Sequence, residues 1–217
     1  MSDSIASTHW LLLDFDGPIC SAFAGYPAPV IAGELVTVAA GAGVILAAGT
    51  TDPHEVLRTV HAQSPAAAHQ VELALQAAEL VAVESATPTA GAAELLRRCS
   101  ARGISTAIVS NNHGPAVEKY LAEHDLSAHV AHVSGRNPDN VALMKPDPYL
   151  LLEAMTALAA MAAGTGFVGD STSDMEAGRA AGVRAIGYAN KPGKRERLAS
   201  AGADVIIGTM SELNSLL

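Results

Sequence analysis

The chain has 217 residues, 49% hydrophobic but only 4% aromatic, enough to bury a substantial core of Ala, Leu, Val and Ile in one domain with an insertion or in two small domains. Thirteen basic against twenty-two acidic residues give a net charge of −9, which argues against a nucleic-acid partner but leaves room for a small phosphorylated metabolite held by a few local cations and a metal. Cys20 and Cys99 are too few for a disulfide framework, and Asp3 precedes no basic and apolar leader. The uncharged stretch Leu35–Thr51 falls short of the about 20 strongly apolar residues of a membrane span, so a cytoplasmic protein with reduced thiols and no membrane partner is expected.

In chain order, the apolar run Trp10-Leu11-Leu12-Leu13 predicts a buried strand. Asp14 and Asp16 follow it two residues apart, so both project to one side while Phe15 points the other way, into the core. Two carboxylates side by side raise the pKa of at least one, and the pair needs a cation, a shared proton or both. Taken alone, Asp-x-Asp is read equally well as a strand that closes in a solvated acidic turn at Gly17-Pro18.

Residues 19–87 predict a helical insertion directly after these acids, placed to cover them. It holds Pro27 and Pro29, an Ala-rich helix from Ile31, a loop at Gly49-Thr50-Thr51, and a helix opening at Asp52-Pro53-His54-Glu55. There Asp52 suits the N-cap, Pro53 the first helical position and Glu55 the reciprocal cap. A further helix, roughly Ala66 to Val83, returns the chain to Pro88.

Beyond residue 87 helices and strands alternate. Helix Thr89–Arg102 precedes strand Ile104–Ser110, helix Pro115–His124 precedes strand Ala128–Ser134, and helix Pro148–Ala160 precedes strand Gly166–Gly169. Helix Ser173–Ala181 leads to strand Val183–Tyr188, and helix Lys194–Ala201 to Asp204–Ile207. Gly103, Gly164, Gly182 and Gly202 fall where the helices must stop. Such alternation means an α/β parallel sheet with helices on both faces, whose ligands bind beyond the carboxyl ends of the strands. Asp14 and Asp16, Ser110-Asn111-Asn112 and Asp170 each follow an apolar strand, so they are expected to converge on one edge.

Four motifs occur in order: Asp14-Phe15-Asp16-Gly17, Ser110-Asn111, Lys145-Pro146-Asp147-Pro148 and Gly169-Asp170-Ser171-Thr172-Ser173-Asp174. Together they resemble those of haloacid dehalogenase superfamily hydrolases, in particular phosphatase-like members with a small helical cap after the first strand, the phosphoglycolate phosphatase and β-phosphoglucomutase-like group. The resemblance implies a Rossmann-like doubly wound core from residues 1–18 and 88–217 with a helical cap at 19–87. It implies a Mg2+-dependent phosphomonoester hydrolase acting on a small phosphorylated metabolite through an aspartyl-phosphate, as a monomer or homodimer. Asp14 would be the nucleophile, Asp16 the general acid and then base, and Lys145 the cation neutralising Asp14 and the phosphoryl group. Ser110 and the Asn111 backbone would hydrogen-bond that group. Asp14, the backbone carbonyl of Asp16, and Asp170 would hold the metal, with Asp174 supporting from behind or through a water. Ser171-x-x-Asp174 also reads as a helix capping box.

Ser110 stands where many members of the family carry Thr, and Pro18 departs from the usual Thr or Val. Asn112 and His113 sit beside the site, in reach of a substrate, but read first as loop and capping residues. The insertion's polar side chains include Asp52, His54, Arg58, His61, His69, Glu72 and Glu79; Arg58, the cation there that is charged at neutral pH, is open to an anionic leaving group but reads first as a surface-helix arginine, and the histidines read as solvated. A phosphosugar mutase would use the same core residues. A dehalogenase is disfavoured because Asp16 is present. A phospho-aspartate receiver or a purely metabolite-binding protein fits less well, since receivers lack the insertion and the Gly-Asp-x-x-x-Asp motif, and binding descendants typically lose the nucleophile or the acid.

Overall fold

The computed structural model describes residues 7–47 and 49–217; Asp3, on which the expectation of no leader rests, lies outside them. The first strand is β1 (Trp10–Leu13), and β2 (Cys20–Ser21) opens the insertion. Helices α1 (Ala28–Gly41), α2 (Pro53–Gln63) and α3 (Pro65–Ala82) follow, and β3 (Thr87–Pro88) ends it. The rest alternates: α4 (Ala92–Ala101), β4 (Ser105–Val109), α5 (Gly114–Glu123), β5 (His132–Ser134), α6 (Tyr149–Ala157) and β6 (Thr165–Gly169). Then come α7 (Thr172–Ala180), β7 (Arg184–Tyr188), α8 (Lys194–Ser200), β8 (Val205–Ile207) and α9 (Met210–Leu216).

Six strands form one parallel sheet of order β5-β4-β1-β6-β7-β8. Counted within the sheet this is the 3-2-1-4-5-6 order of the doubly wound α/β fold, whose winding reverses between β1 and β6. Because helices cover both faces, β1 is an unbroken apolar run. Leu11, Leu13 and Phe15 pack with α4, α5 and α9, against Leu95, Leu96, Val117, Tyr120, Met210 and Leu213. Leu12 faces the opposite layer with Val109, Phe167, Leu150, Leu151 and Ala177. Phe15 meets the Tyr120 ring edge-on at 5.2 Å, as alternation along the strand requires.

The insertion hangs from an antiparallel pair, with Cys20 opposite Pro88 and Ser21 opposite Thr87. Its helices share a core of Ile31, Leu35, Val56, Leu57, Val60, Val71 and Leu75, which Val141 and Met144 of the loop before α6 also join. Helix α1 starts three residues before the expected Ile31, since Pro29 is tolerated in a first turn. Asp52 caps α2 by accepting from His54 N at 2.9 Å, and the reciprocal bond expected from Glu55 is not formed.

Gly103, Gly182 and Gly202 take left-handed conformations behind their helices, but Gly164 does not. Helix α6 ends earlier, with Ala159 at φ +49°, and Gly164 is small for a different reason: a Cβ there would lie 2.9 Å from the Trp10 ring. Cys20 and Cys99 are free and buried. Among the described residues no helix is long and apolar enough to cross a membrane.

Candidate active site

Leu13 is level with Ile108 of β4 and Val168 of β6, so the residues that follow all three strands leave the same edge. Asp14 N donates to Val168 O at 2.8 Å, which fixes the first acid at this edge. Its Oδ1 accepts from Phe15 N at 2.8 Å and from Lys145 Nζ at 2.7 Å. Lys145 comes from a loop 131 residues away in sequence and is 2% exposed. Its Nζ also donates to Val109 O at 3.1 Å and lies 2.7 Å from Asp174 Oδ1 as an ion pair outside hydrogen-bond geometry. The lysine backbone is held as firmly: N donates to Asn111 Oδ1 at 2.8 Å, while O accepts from Asn111 Nδ2 at 3.2 Å and Arg58 Nη2 at 2.7 Å.

Asp174 sits at the third position of α7 and closes the expected capping box with Ser171, its Oδ2 accepting from Asp170 N and Ser171 N. A Cβ on Gly169 would fall 2.2 Å from Asp174 Cβ, so the motif glycine makes this approach possible. Gly17 serves Asp170 in the same way: its φ is +112° and a Cβ would lie 2.5 Å from Asp170 Cγ. Asp170 Oδ2 pairs with Lys194. Asp16 Oδ1 accepts from Ala22 N at 2.9 Å, tying the second acid to the start of the insertion.

Ligand oxygens of Asp14, Asp170 and Asp174 all lie within 4.8 Å of one another. Burial, the nearby Asp174 and Asp170 push the Asp14 carboxyl well above its ordinary value, and Lys145 only partly opposes them. Burial likewise raises Asp16 against the Ala22 hydrogen bond, and raises Asp170 against Lys194. Such crowding calls for more positive charge than two lysines supply. Both hydrogen bonds to the Asp14 carboxyl use Oδ1, so Oδ2 has no partner among the described residues, and an all-carboxylate donor set suits a hard divalent cation. The residues therefore fit magnesium, and Asp174 joins the cluster as directly as Asp170.

The edge opens into a cavity of about 380 Å³. Asp14, Asp16, Asn111, Lys145, Asp170 and Asp174 line its core side, and Phe23, Asp52, His54 and Arg58 line the side of the insertion. Two readings from sequence are corrected here. Arg58 is half-buried on the cavity wall rather than a surface arginine, because α2 turns it toward the Lys145 carbonyl. His54 is not a solvated histidine, since its Nε2 lies 3.3 Å from the buried Glu79 Oε1; His69, in contrast, is exposed as expected. Asn112, expected beside the site, lines the cavity, with a buried Nδ2 that has no hydrogen-bond partner among the described residues. Ser110 lies just behind the wall, its Oγ accepting from Asn112 N at 3.1 Å.

Residues 52–188 match the family model for haloacid dehalogenase-like hydrolases. The phosphoglycolate phosphatase of Salmonella choleraesuis is 32% identical over 121 residues, covering 56% of this chain and 47% of its own. The plasmid phosphoglycolate phosphatase of Cupriavidus necator is 36% identical over 133 residues, 59% of this chain and 53% of its own. This chain thus spans about half the length of the curated relatives it matches. A predicted phosphatase from Clostridium acetobutylicum superposes with a TM-score of 0.73 at 16% identity, over 96% of this chain and 97% of that one. A hydrolase from Pseudomonas syringae gives 0.71 at 19% identity, over 96% and 97%. At these identities the structural likeness is one of fold.

Proposed function

Because the chain belongs to the haloacid dehalogenase-like hydrolase family, we propose that it is a magnesium-dependent phosphomonoesterase acting on a small phosphorylated metabolite, with the helical insertion as its cap. The observation that carries this reading is Asp14, fixed through one oxygen by Lys145 and Phe15 N, with its other oxygen left for chemistry. Asp16 stands two residues on, with burial favouring its protonated form.

Uncatalysed phosphomonoester hydrolysis is slow enough to need accelerations approaching ~10²¹, and a carboxylate nucleophile divides the displacement into two easier steps. Asp14 Oδ2 attacks phosphorus and the bond to the leaving oxygen breaks, giving an aspartyl-phosphate; Asp16 gives its proton to that oxygen. Asp16, now a carboxylate, takes a proton from water as the water oxygen attacks phosphorus, releasing phosphate and restoring Asp14. Lys145 favours the ionised form of Asp14, orients it and offers charge to the phosphoryl oxygens. The Asn111 side chain is committed to the Lys145 backbone, so the Asn111 backbone N–H remains for phosphoryl contacts, while the Ser110 hydroxyl braces Asn112 N from behind. Asp14, the Asp16 carbonyl, Asp170 and Asp174 would hold magnesium, which would supply further charge neutralisation.

The cavity suits a small ester, and Arg58 brings a cation to its cap side, next to Asp52. Two of the relatives are named for phosphoglycolate, which makes 2-phosphoglycolate the first physiological candidate. Phosphate release from p-nitrophenyl phosphate and 2-phosphoglycolate, with magnesium or EDTA, tests the proposal. Turnover that needs magnesium and disappears in Asp14→Asn supports it. Turnover that survives in Asp14→Asn contradicts it.

A further inference from the structure

Helix α3 buries two glutamates that the chemistry above does not use: Glu72 is 2% exposed and Glu79 fully buried. Both face Arg136, which lies in the loop after β5, and its side chain is fully buried too. Arg136 Nε donates to Glu72 Oε2 at 2.9 Å, Nη1 to Glu79 Oε1 at 2.8 Å, and Nη2 to Glu72 Oε1 and Glu79 Oε2 at 2.9 Å each. The remaining lone pairs are met as well. Glu72 accepts from Gln76 Nε2, and Glu79 accepts from His113 N and lies beside His54 Nε2. Burial opposes the charge on Glu79, yet Arg136 and His54 outweigh it and hold the carboxyl down to about 2.

Apolar residues would fill this space without taking three charges out of water, so a buried ionic cluster of this kind is best explained by the geometry it imposes. Arg136 shows what that geometry is. Its Nη1 also donates to Asn111 O at 2.6 Å, and its backbone N donates to Asn112 O at 2.9 Å. Alongside, Gly135 and Gly114 approach so closely that a Cβ on Gly135 would lie 2.5 Å from Gly114 N. Asn111 in turn grips both backbone polar groups of Lys145 with its side chain, and Lys145 carries its charge to Asp14.

We propose that Arg136, clamped by Glu72 and Glu79, is a positioning residue that fixes Asn111 and through it Lys145, so that cap helix α3 sets where the lysine stands against Asp14. Its catalytic consequence rests on the reading of Lys145 given under Proposed function. The same clamp holds His54 on the cavity wall through Glu79, which ties α2 to the arrangement.

The test is Arg136→Lys in the full chain. An ammonium keeps the charge but lacks the planar fork that bridges two carboxylates and Asn111 O together. Two quantities are read: kcat and KM for p-nitrophenyl phosphate, and amide hydrogen exchange at Lys145, whose N–H donates to Asn111 Oδ1, with the Ile108 amide of β4 as internal reference. The expected result is Lys145 exchange faster by about tenfold, the size of coupling within one buried network, with Ile108 unchanged and a loss concentrated in kcat. Should Arg136→Lys not fold, Glu72→Gln leaves Arg136 paired with Glu79 and is expected to shift both readouts in the same directions, by less. Folded variants with wild-type exchange at Lys145 and wild-type kcat would overturn the proposal. If the wild type hydrolyses no ester while exchange at Lys145 still quickens in the variants, the positioning role stands and the phosphatase reading falls.

Discussion

Replacing Lys145 with methionine removes the cation that Asp14 and Asp174 share while keeping a side chain of similar length. Its Nζ stands 2.7 Å from an oxygen of each acid, and the residue is 2% exposed, so neither carboxylate regains water when the charge goes. Breaking a buried pair from one side costs about 3–5 kcal/mol, and a domain of this size loses about 2–4 °C per kcal/mol, so Tm in EDTA should fall by about 6–20 °C. Lys145 supplies the largest influences that lower the Asp14 pKa, so its loss raises that pKa further. A carboxyl whose folded pKa lies above its unfolded value favours the folded state at low pH, and that contribution is lost as pH rises through the folded pKa. The deficit of Lys145→Met against wild type should therefore be smallest in acid and grow toward neutral pH. Magnesium replaces part of the missing charge and should raise the variant's Tm more than the wild type's. Calorimetric melts across pH, with EDTA and with magnesium, read all three effects. A variant that melts with the wild type in EDTA at neutral pH would refute the reasoning.

Other changes probe separate parts of the site. Gly17→Ala drives a Cβ into Asp170, and disturbed ligand placement of this kind costs about 10–100-fold in metal affinity; titration calorimetry with magnesium checks it, and an unchanged Kd counts against the role of Asp170. Asp16→Asn removes the proposed general acid, a group worth about 10²–10⁴ in rate, and the loss should be far larger for an alkyl phosphate than for p-nitrophenyl phosphate, whose leaving group needs little protonation. Because burial raises the Asp16 pKa, the acid-dependent rate should persist to higher pH than an ordinary carboxyl allows and then decline, a limb that Asp16→Asn abolishes. Burial pushes the Cys99 thiol up to about 11 and Cys20 also upward, so neither should be alkylated at neutral pH until denaturant unfolds the chain, as mass spectrometry would show.

Much of this site was readable in the sequence because its information is local. A four-residue apolar run followed by acids at a spacing of two specifies both a strand and the side on which the acids emerge. The motif glycines mark positions where a side chain would collide with Asp170 or Asp174. The Ser171 capping box was legible for the same reason. What was not legible depends on packing between distant segments. Arg136 meets Glu72 and Glu79 across 64 and 57 residues, and nothing in the Ala-rich pattern of α3 separates a buried glutamate from a solvated one. Arg58 and His54 look like any polar residues of an amphipathic helix until the turn of α2 over the Lys145 loop is known. Gly164 illustrates the opposite error: it reads as a helix stop, but its size is dictated by the Trp10 ring.

The central claim is that Asp14 becomes phosphorylated, and the most direct measurement is to quench the enzyme during turnover of p-nitrophenyl phosphate with magnesium and map any modified peptide by mass spectrometry. The account predicts one added phosphoryl group on the peptide containing Asp14, absent in Asp14→Asn and accumulating when Asp16→Asn slows its hydrolysis. A wild type that turns over many equivalents of substrate while the Asp14 peptide stays unmodified, even in Asp16→Asn, would contradict it.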